Sequence, residues 1–255
     1  MGTAGVAEAG RPTDAGAAAR RYEDQIGFVL HSYPYSESSL IVETFTREHG
    51  RVPLLAKGVK RQGSALRGVL LQFQRIGLSW SGKGDLRNLT RAEWLGGIPA
   101  LSGKALACGF YLNELLLKLL ARGDPHERLF DSYAAALAAL GASARAADIL
   151  RIFEKALLRE IGYAVDLTVE AGSGVPVDPA ADYGYVPERG LRRLATHEPA
   201  ELALPGWVAL AIARDDYGNA QVAAAAKQLM RMLLDHQLNG RRLATRQIFS
   251  LQPMS

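Results

Sequence analysis

The chain has 255 residues, 48% of them hydrophobic and 22% charged, with a formal net charge of +4. That balance excludes a solvated tail and fits one large domain or two modest ones, each able to bury a core. A single cysteine, Cys108, excludes an internal disulfide and a cysteine-built zinc site and fits a reducing compartment, while the apolar runs fall short of the roughly 20 residues that cross a bilayer.

Residues 1–24 open with "MGTAGVAEAGRPTDAGAAAR", rich in alanine and glycine and without the apolar stretch of a secretory signal. They read as a disordered leader, and the expected location is the cytoplasm. From Gln25 to about residue 98, five β-rich runs follow one another: "GFVLHSY", "SSLIVETFT", "GRVPLLAKGV", "QRIGLSW" and "LRNLTRAEW". Turn residues separate them, among them Pro34, the His49-Gly50 pair and the "SGKGD" corner. Five short strands predict a small closed sheet. In the fourth run Ile76, Leu78 and Trp80 share one face and Arg75, Gly77 and Ser79 the other, as an inside and an outside require.

The pattern changes near Pro99, and residues 99–255 read as helical. "LSGKALACGFYLNELLLKLLARGD" predicts a mostly buried helix stopped by Gly123 and Pro125. "HERLFDSYAAALAALGA" and "ARAADILRIFEKALLREIGYAV" predict two more, with Ile149, Phe153 and Leu157 at helical spacing. Residues from about 166 to 200, "EAGSGVPVDPAADYGYVPERG" among them, predict a turn-rich lobe. Helix resumes near Pro205 and from Gln221 to Leu238, stopped by Asn239-Gly240, and a short basic tail, "RRLATRQIF", follows.

Charge is segregated along this plan. Between Arg47 and Arg91 ten bases face two acids, Glu48 and Asp85, an excess of eight that leaves the rest of the +4 chain at −4. A basic small barrel is the electrostatic footprint of a nucleic-acid reader, since each neutralised phosphate releases condensed counterions. Surface charges can also be merely solvated, but solubility is better served by mixed signs. Arg87 and Arg91, four apart in one strand, are expected on the same side. Among aromatics that could stack bases, Phe45, Phe73 and Trp80 read as core, whereas Tyr33 and Tyr35, flanking Pro34, read as exposed.

No catalytic constellation emerges. His31, His49, His126, His197 and His236 are scattered without metal-ligand spacing, and Cys108 sits mid-helix as a small hydrophobe. "GKGDL" and "AGSGVP" lack the endings of phosphate loops and read as turns. The expectation is a protein that is not an enzyme and holds no metal or cofactor.

"GFVLHSYPYSESSLIVETFTREHGRVPLLAKGVKR", "FYLNELLLKLL" and "LRIFEKALLREIGYAVDL" resemble, in order, the bacterial recombination mediator family RecO. The resemblance implies an α+β architecture: a five-stranded oligonucleotide-binding (OB) barrel, then a helical domain. It implies a role in DNA repair and recombination: binding single- and double-stranded DNA, annealing complementary strands, and helping RecR load RecA onto DNA coated by single-stranded DNA-binding protein (SSB). It also implies association with the nucleoid and no membrane.

Many members of the family carry a four-cysteine zinc site in the lobe; this sequence has none of those cysteines, so its lobe is expected to hold by ordinary packing. Carried onto this chain, the DNA contacts fall at Arg51, Lys57, Lys60, Arg61 and Arg67, with Lys83, Arg87 and Arg91 as further candidates. The acidic, hydrophobic C-terminal tail of SSB is expected on the third helix, where Arg151, Lys155 and Arg159 form a basic stripe beside Phe153 and Leu157. Against this stands a solvated helix face paired locally with Glu154 and Glu160. An RNA-binding barrel and a non-enzymatic assembly scaffold remain alternatives.

Overall fold

A computed structural model describes residues 20–142, 145–195 and 198–247. Most of the expected leader, His197 and the end of the basic tail lie outside these. The first strand, β1 (Arg21–Pro34), begins four residues before the expected start at Gln25, so residues 21–24 belong to the sheet. It is followed by β2 (Leu40–Thr46), β3 (Gly50–Ala56), a short helix α1 (Ala65–Val69), β4 (Arg75–Ser81) and β5 (Arg87–Trp94). The strands close in the order β1-β2-β3-β5-β4, all neighbours antiparallel except β3 against β5, the barrel that the family resemblance implies.

Alternation decides what each strand buries. Val29, Val42, Val52, Leu54, Ile76, Leu78 and Trp80 fill the barrel. Phe28, Leu30 and Phe45 point the other way and join the core of the helical part instead. There Phe28 packs 5.3 Å from Phe130 and 5.1 Å from Tyr133, ring centre to ring centre. Each such ring or leucine contributes about 1.5–3 kcal/mol when fully buried, so this shared core is a substantial tie between the two parts. Barrel and helices are also wedged by Phe73, whose ring lies where a Cβ on Gly109 would come within 2.9 Å; only glycine there admits it.

The helical part consists of α2 (Gly103–Leu119), α3 (Glu127–Ala142), α4 (Ala146–Glu160), α5 (Gly206–Ala213) and α6 (Ala220–Leu238). Asn239, left-handed at φ 46°, ends α6 as the Asn-Gly pair predicts. The lobe between α4 and α5 is more ordered than its glycines and prolines suggest. It carries a three-stranded sheet of β6 (Asp182–Val186), β7 (Gly190–Arg193) and β8 (Ala203–Pro205). Buried Leu167, Val177, Tyr183, Leu191 and Leu204 hold it, and the Tyr183 hydroxyl accepts from the Asp178 amide at 2.9 Å. The lobe has no cysteine, and among its described residues hydrophobic packing takes the place of the cysteine cage that the family resemblance raised.

Candidate nucleic-acid interface

The basic stretch after β3 carries the short helix α1 and is fastened to the barrel. Val59 and Leu70 are buried in the barrel core, Leu66 and Val69 pack against it, and α1 lies against β5. The apolar members of the segment fasten it, and the charged ones are left outside. Lys57, Lys60, Arg61 and Arg67 are all exposed. Lys60 donates from Nζ to the Ser36 carbonyl at 2.8 Å, bracing the segment against the β1–β2 turn. Lys57, Arg61 and Arg67 enter no salt bridge among the described residues, and the sequence has no acid from residue 49 to residue 84. Four exposed cations thus stand on one fastened segment, a basic ledge suited to phosphate rather than to any particular base.

Arg51, expected beside them, belongs elsewhere. It lies on the outward, helix-facing side of β3 and is 8% exposed. Its Nη1 donates to the carbonyls of Leu117 (2.7 Å) and Leu120 (2.8 Å), and its Nη2 to Glu43 Oε2 (3.0 Å). Glu43 also pairs with Arg122. The guanidinium satisfies the exposed carbonyls at the end of α2 and is unavailable to DNA. It is an interdomain clamp.

The remaining barrel candidates divide. Lys83 is exposed on the β4–β5 turn, away from α1 in the chain. The expectation that Arg87 and Arg91 share a side fails, because the register slips between Ser79 and Trp80: Trp80 pairs with Leu89 and Ser79 with Arg91, making Thr90 the extra residue. Arg87 lies over the Tyr22 ring at 4.9 Å, and that ring stacks on Trp80 at the mouth of the barrel. Arg91 is on the outside, bound to Glu93 at 2.7 Å and near Asp24 at 3.7 Å. Of the aromatics, Phe45, Phe73 and Trp80 are core and Tyr33 and Tyr35 exposed, as read from the sequence. The most exposed described tryptophan, Trp94 at 63%, was not singled out by alternation because it ends its strand just before Leu95-Gly96-Gly97.

The proposed tail site on α4 also changes composition. Phe153 and Leu157 are 1% and 0% exposed and form the core face of α4, so no peptide reaches them. Lys155 is engaged as well, its Nζ donating to the carbonyls of Ile212 (2.7 Å) and Ala213 (3.1 Å) and to Asp215 (2.6 Å) at the end of α5. Of the five residues expected at this site, Arg151 alone lines the neighbouring cleft. This hollow, of about 520 Å³, has Leu150, Tyr111 and Ala223 in its walls and Arg151, Lys227, Arg231 and Arg246 around them.

Beneath it lies Glu154, fully buried, with Oε1 accepting from Arg151 (2.6 Å) and the Tyr111 hydroxyl (2.7 Å) and with Oε2 unpartnered. Burial pushes the Glu154 carboxyl above the usual range despite the pull of Arg151. The same burial, with Glu154 beside it, pushes the Tyr111 hydroxyl well up. Asp148 also lines the cleft. Arg151 is held by Glu154, and Arg231 and Arg246 share Asp235, so Lys227 is the cation of the cleft in no salt bridge among the described residues. An apolar slot with cations at its rim can take an acidic peptide with a hydrophobic end.

Among the described residues no cluster of histidine, cysteine, aspartate or glutamate could hold a metal ion, and no helix is long and apolar enough to cross a membrane. The Cys108 thiol, buried in α2, is pushed up to about 11, mainly by desolvation, which makes it a poor nucleophile.

Comparison with known proteins agrees with this geometry. The family description "Recombination protein O N terminal" matches residues 21–98 and "Recombination protein O C terminal" matches residues 101–247. The chain is 48% identical to the DNA repair protein RecO of Aromatoleum aromaticum, over 90% of this chain and 95% of that one. It is 50% identical to the DNA repair protein RecO of Ralstonia nicotianae, over 91% and 85%, and 48% identical to that of Thiobacillus denitrificans, over 89% and 91%. Barrel, helical part and basic ledge thus come together in a chain that belongs to the RecO family of DNA repair proteins.

Proposed function

We propose that this chain works as a non-enzymatic mediator whose barrel grips nucleic-acid backbone while its helical part holds the SSB tail. The observation that carries the first half is the ledge of Lys57, Lys60, Arg61 and Arg67, fastened by Val59 and Leu70 and free of acids. Neutralising phosphates there lowers the repulsion between two strands, which favours annealing of single strands and tolerates duplex. The cleft by Arg151 supports the second half. Lys227, in no salt bridge among the described residues, offers a cation to the acidic residues of a tail. Arg231 and Arg246, which share Asp235, and Arg151, held by Glu154, would exchange those partners for it, and Leu150 and Tyr111 offer contact to its apolar end.

Joining both grips in one chain, with a core shared between barrel and helices, raises the local concentration of mediator on SSB-coated DNA. The proposal extends to cooperation with RecR in delivering RecA and to a place at the nucleoid, supported by the likeness to DNA repair proteins RecO. In this reading the barrel, from β1 to about residue 98 and so four residues longer than the expected 25–98, and the helical part, about 99–255, are the two working units.

The test is replacement of Lys57, Arg61 and Arg67 together by alanine, read by fluorescence anisotropy with labelled single-stranded DNA. At a slope of about 0.7 per phosphate, each contact is worth roughly fivefold near 0.1 M salt, so the triple variant should bind about 100-fold more weakly. Unchanged affinity would remove the ledge from the interface.

A further inference from the structure

We infer that Trp94 is a base-stacking platform: single-stranded nucleic acid held by the basic ledge lays a base on its indole, in the cleft between the barrel and α2. The inference rests on the nucleic-acid reading above and adds to it a contact made with bases instead of phosphates. Three observations meet here.

The first is that the indole is both exposed and fixed. Its Nε1–H donates to Gln74 Oε1 at 3.1 Å, and the backbone of Gly96 lies against the ring, a Cβ there coming within 3.5 Å of Cη2 and Cζ2. With its polar edge satisfied by Gln74 and Gly96 against the ring, the indole presents an aromatic surface to solvent. The second is an apolar partner. Leu71, 52% exposed, and Phe110 of α2, 37% exposed, line with Trp94 a hollow of about 720 Å³. An apolar cleft of that size matches the volumes of small-ligand sites.

The third observation chooses the occupant. The segment that supplies Gly68 and Leu71 to this hollow is the basic ledge itself, with Arg67 one residue before Gly68. Arg75, next to Gln74, is exposed and adds a cation. The neighbouring acid, Glu93, is held by Arg91. A hydrophobic slot whose wall continues into unpaired cations complements a chain of phosphates carrying flat bases, which single strands expose and duplexes do not.

The experiment compares full-length wild type, Trp94→Ala and Trp94→Phe by anisotropy on two labelled oligonucleotides of equal length. One is oligothymidylate; the other carries the same phosphates with abasic sugars. Trp94→Ala should weaken oligothymidylate binding about ten- to a hundredfold, Trp94→Phe should keep most of it, and neither should alter abasic binding or the salt slope. Trp94 is on the surface, so thermal melting of Trp94→Ala close to wild type accompanies that result.

Undiminished oligothymidylate binding by Trp94→Ala, with wild type still binding in a salt-dependent way, would overturn the stacking site and leave the ledge standing; the cleft would then belong to a protein partner. Equal losses on both oligonucleotides would also overturn it. Absence of salt-dependent binding by wild type would remove the nucleic-acid reading and the platform together.

Discussion

Replacing Arg51 separates structure from recognition. Arg51→Met keeps much of the side-chain volume but deletes three hydrogen bonds, two to the end of α2 and one to Glu43. Glu43, 2% exposed, is then left with Arg122 alone. Leaving the Leu117 and Leu120 carbonyls without this donor costs about 1–3 kcal/mol each, and Glu43 loses one of its two cations, so the total is about 3–5 kcal/mol. For a chain of this size each kcal/mol shifts the melting temperature by about 2–4 °C, so a loss of roughly 6–20 °C is expected in calorimetry. Arg51→Lys should recover only part of this, since a single ammonium cannot serve two carbonyls and a carboxylate in the fork geometry of Arg51. DNA affinity of the folded variants should stay within about twofold of wild type, because no phosphate contact is lost. Melting within a degree or two of wild type, combined with a clear drop in DNA affinity, would refute the clamp and return Arg51 to the interface.

Two further outcomes follow from the helical part. Lys227→Ala combined with Arg231→Ala should weaken an acidic, hydrophobic-ended SSB-tail peptide by about tenfold in isothermal titration, at roughly 0.5–1 kcal/mol per exposed cation, with naked-DNA affinity unchanged. Equal loss of both ligands would detach the cleft from the tail. The raised carboxyl of Glu154 gives a signed pH dependence. The folded state holds that proton more tightly than the unfolded chain, so this group's contribution is complete below the ordinary glutamate range and is lost as pH rises through the raised value. The stability of Glu154→Gln relative to wild type should therefore increase with pH across that window, as measured by urea denaturation at a series of pH values. A flat or falling difference would contradict it.

The five barrel strands and the principal helices were legible because their apolar residues repeat with the right period over seven or more positions. The lobe strands β6, β7 and β8 were not, being three to five residues long and bracketed by glycine and proline. The short helix α1 was hidden inside a segment whose charges and glycines draw the eye, although Val59, Leu66 and Leu70 mark where it is fastened. Arg51 was misread for the opposite reason. It stands in "GRVPLL" much as Glu43 stands in "LIVETF", single charges in apolar runs of opposite sign, a pattern that signals a buried pair between two adjacent strands.

On α4 the basic stripe was legible, but sequence spacing could not tell which cation reaches across to another helix. Lys155 is consumed by the end of α5, and Arg151 faces the cleft. Phe153 and Leu157 are better explained as the buried side of an amphipathic helix than as a binding slot.

The most direct test of the ledge is the salt dependence of single-stranded DNA binding by the full chain, measured by anisotropy from about 50 to about 200 mM salt. With Lys57, Lys60, Arg61 and Arg67 on backbone, affinity should fall about 50-fold across that range, and about threefold for the variant lacking Lys57, Arg61 and Arg67. Equal slopes for the two proteins would contradict the account, because the charges that release counterions would then lie elsewhere.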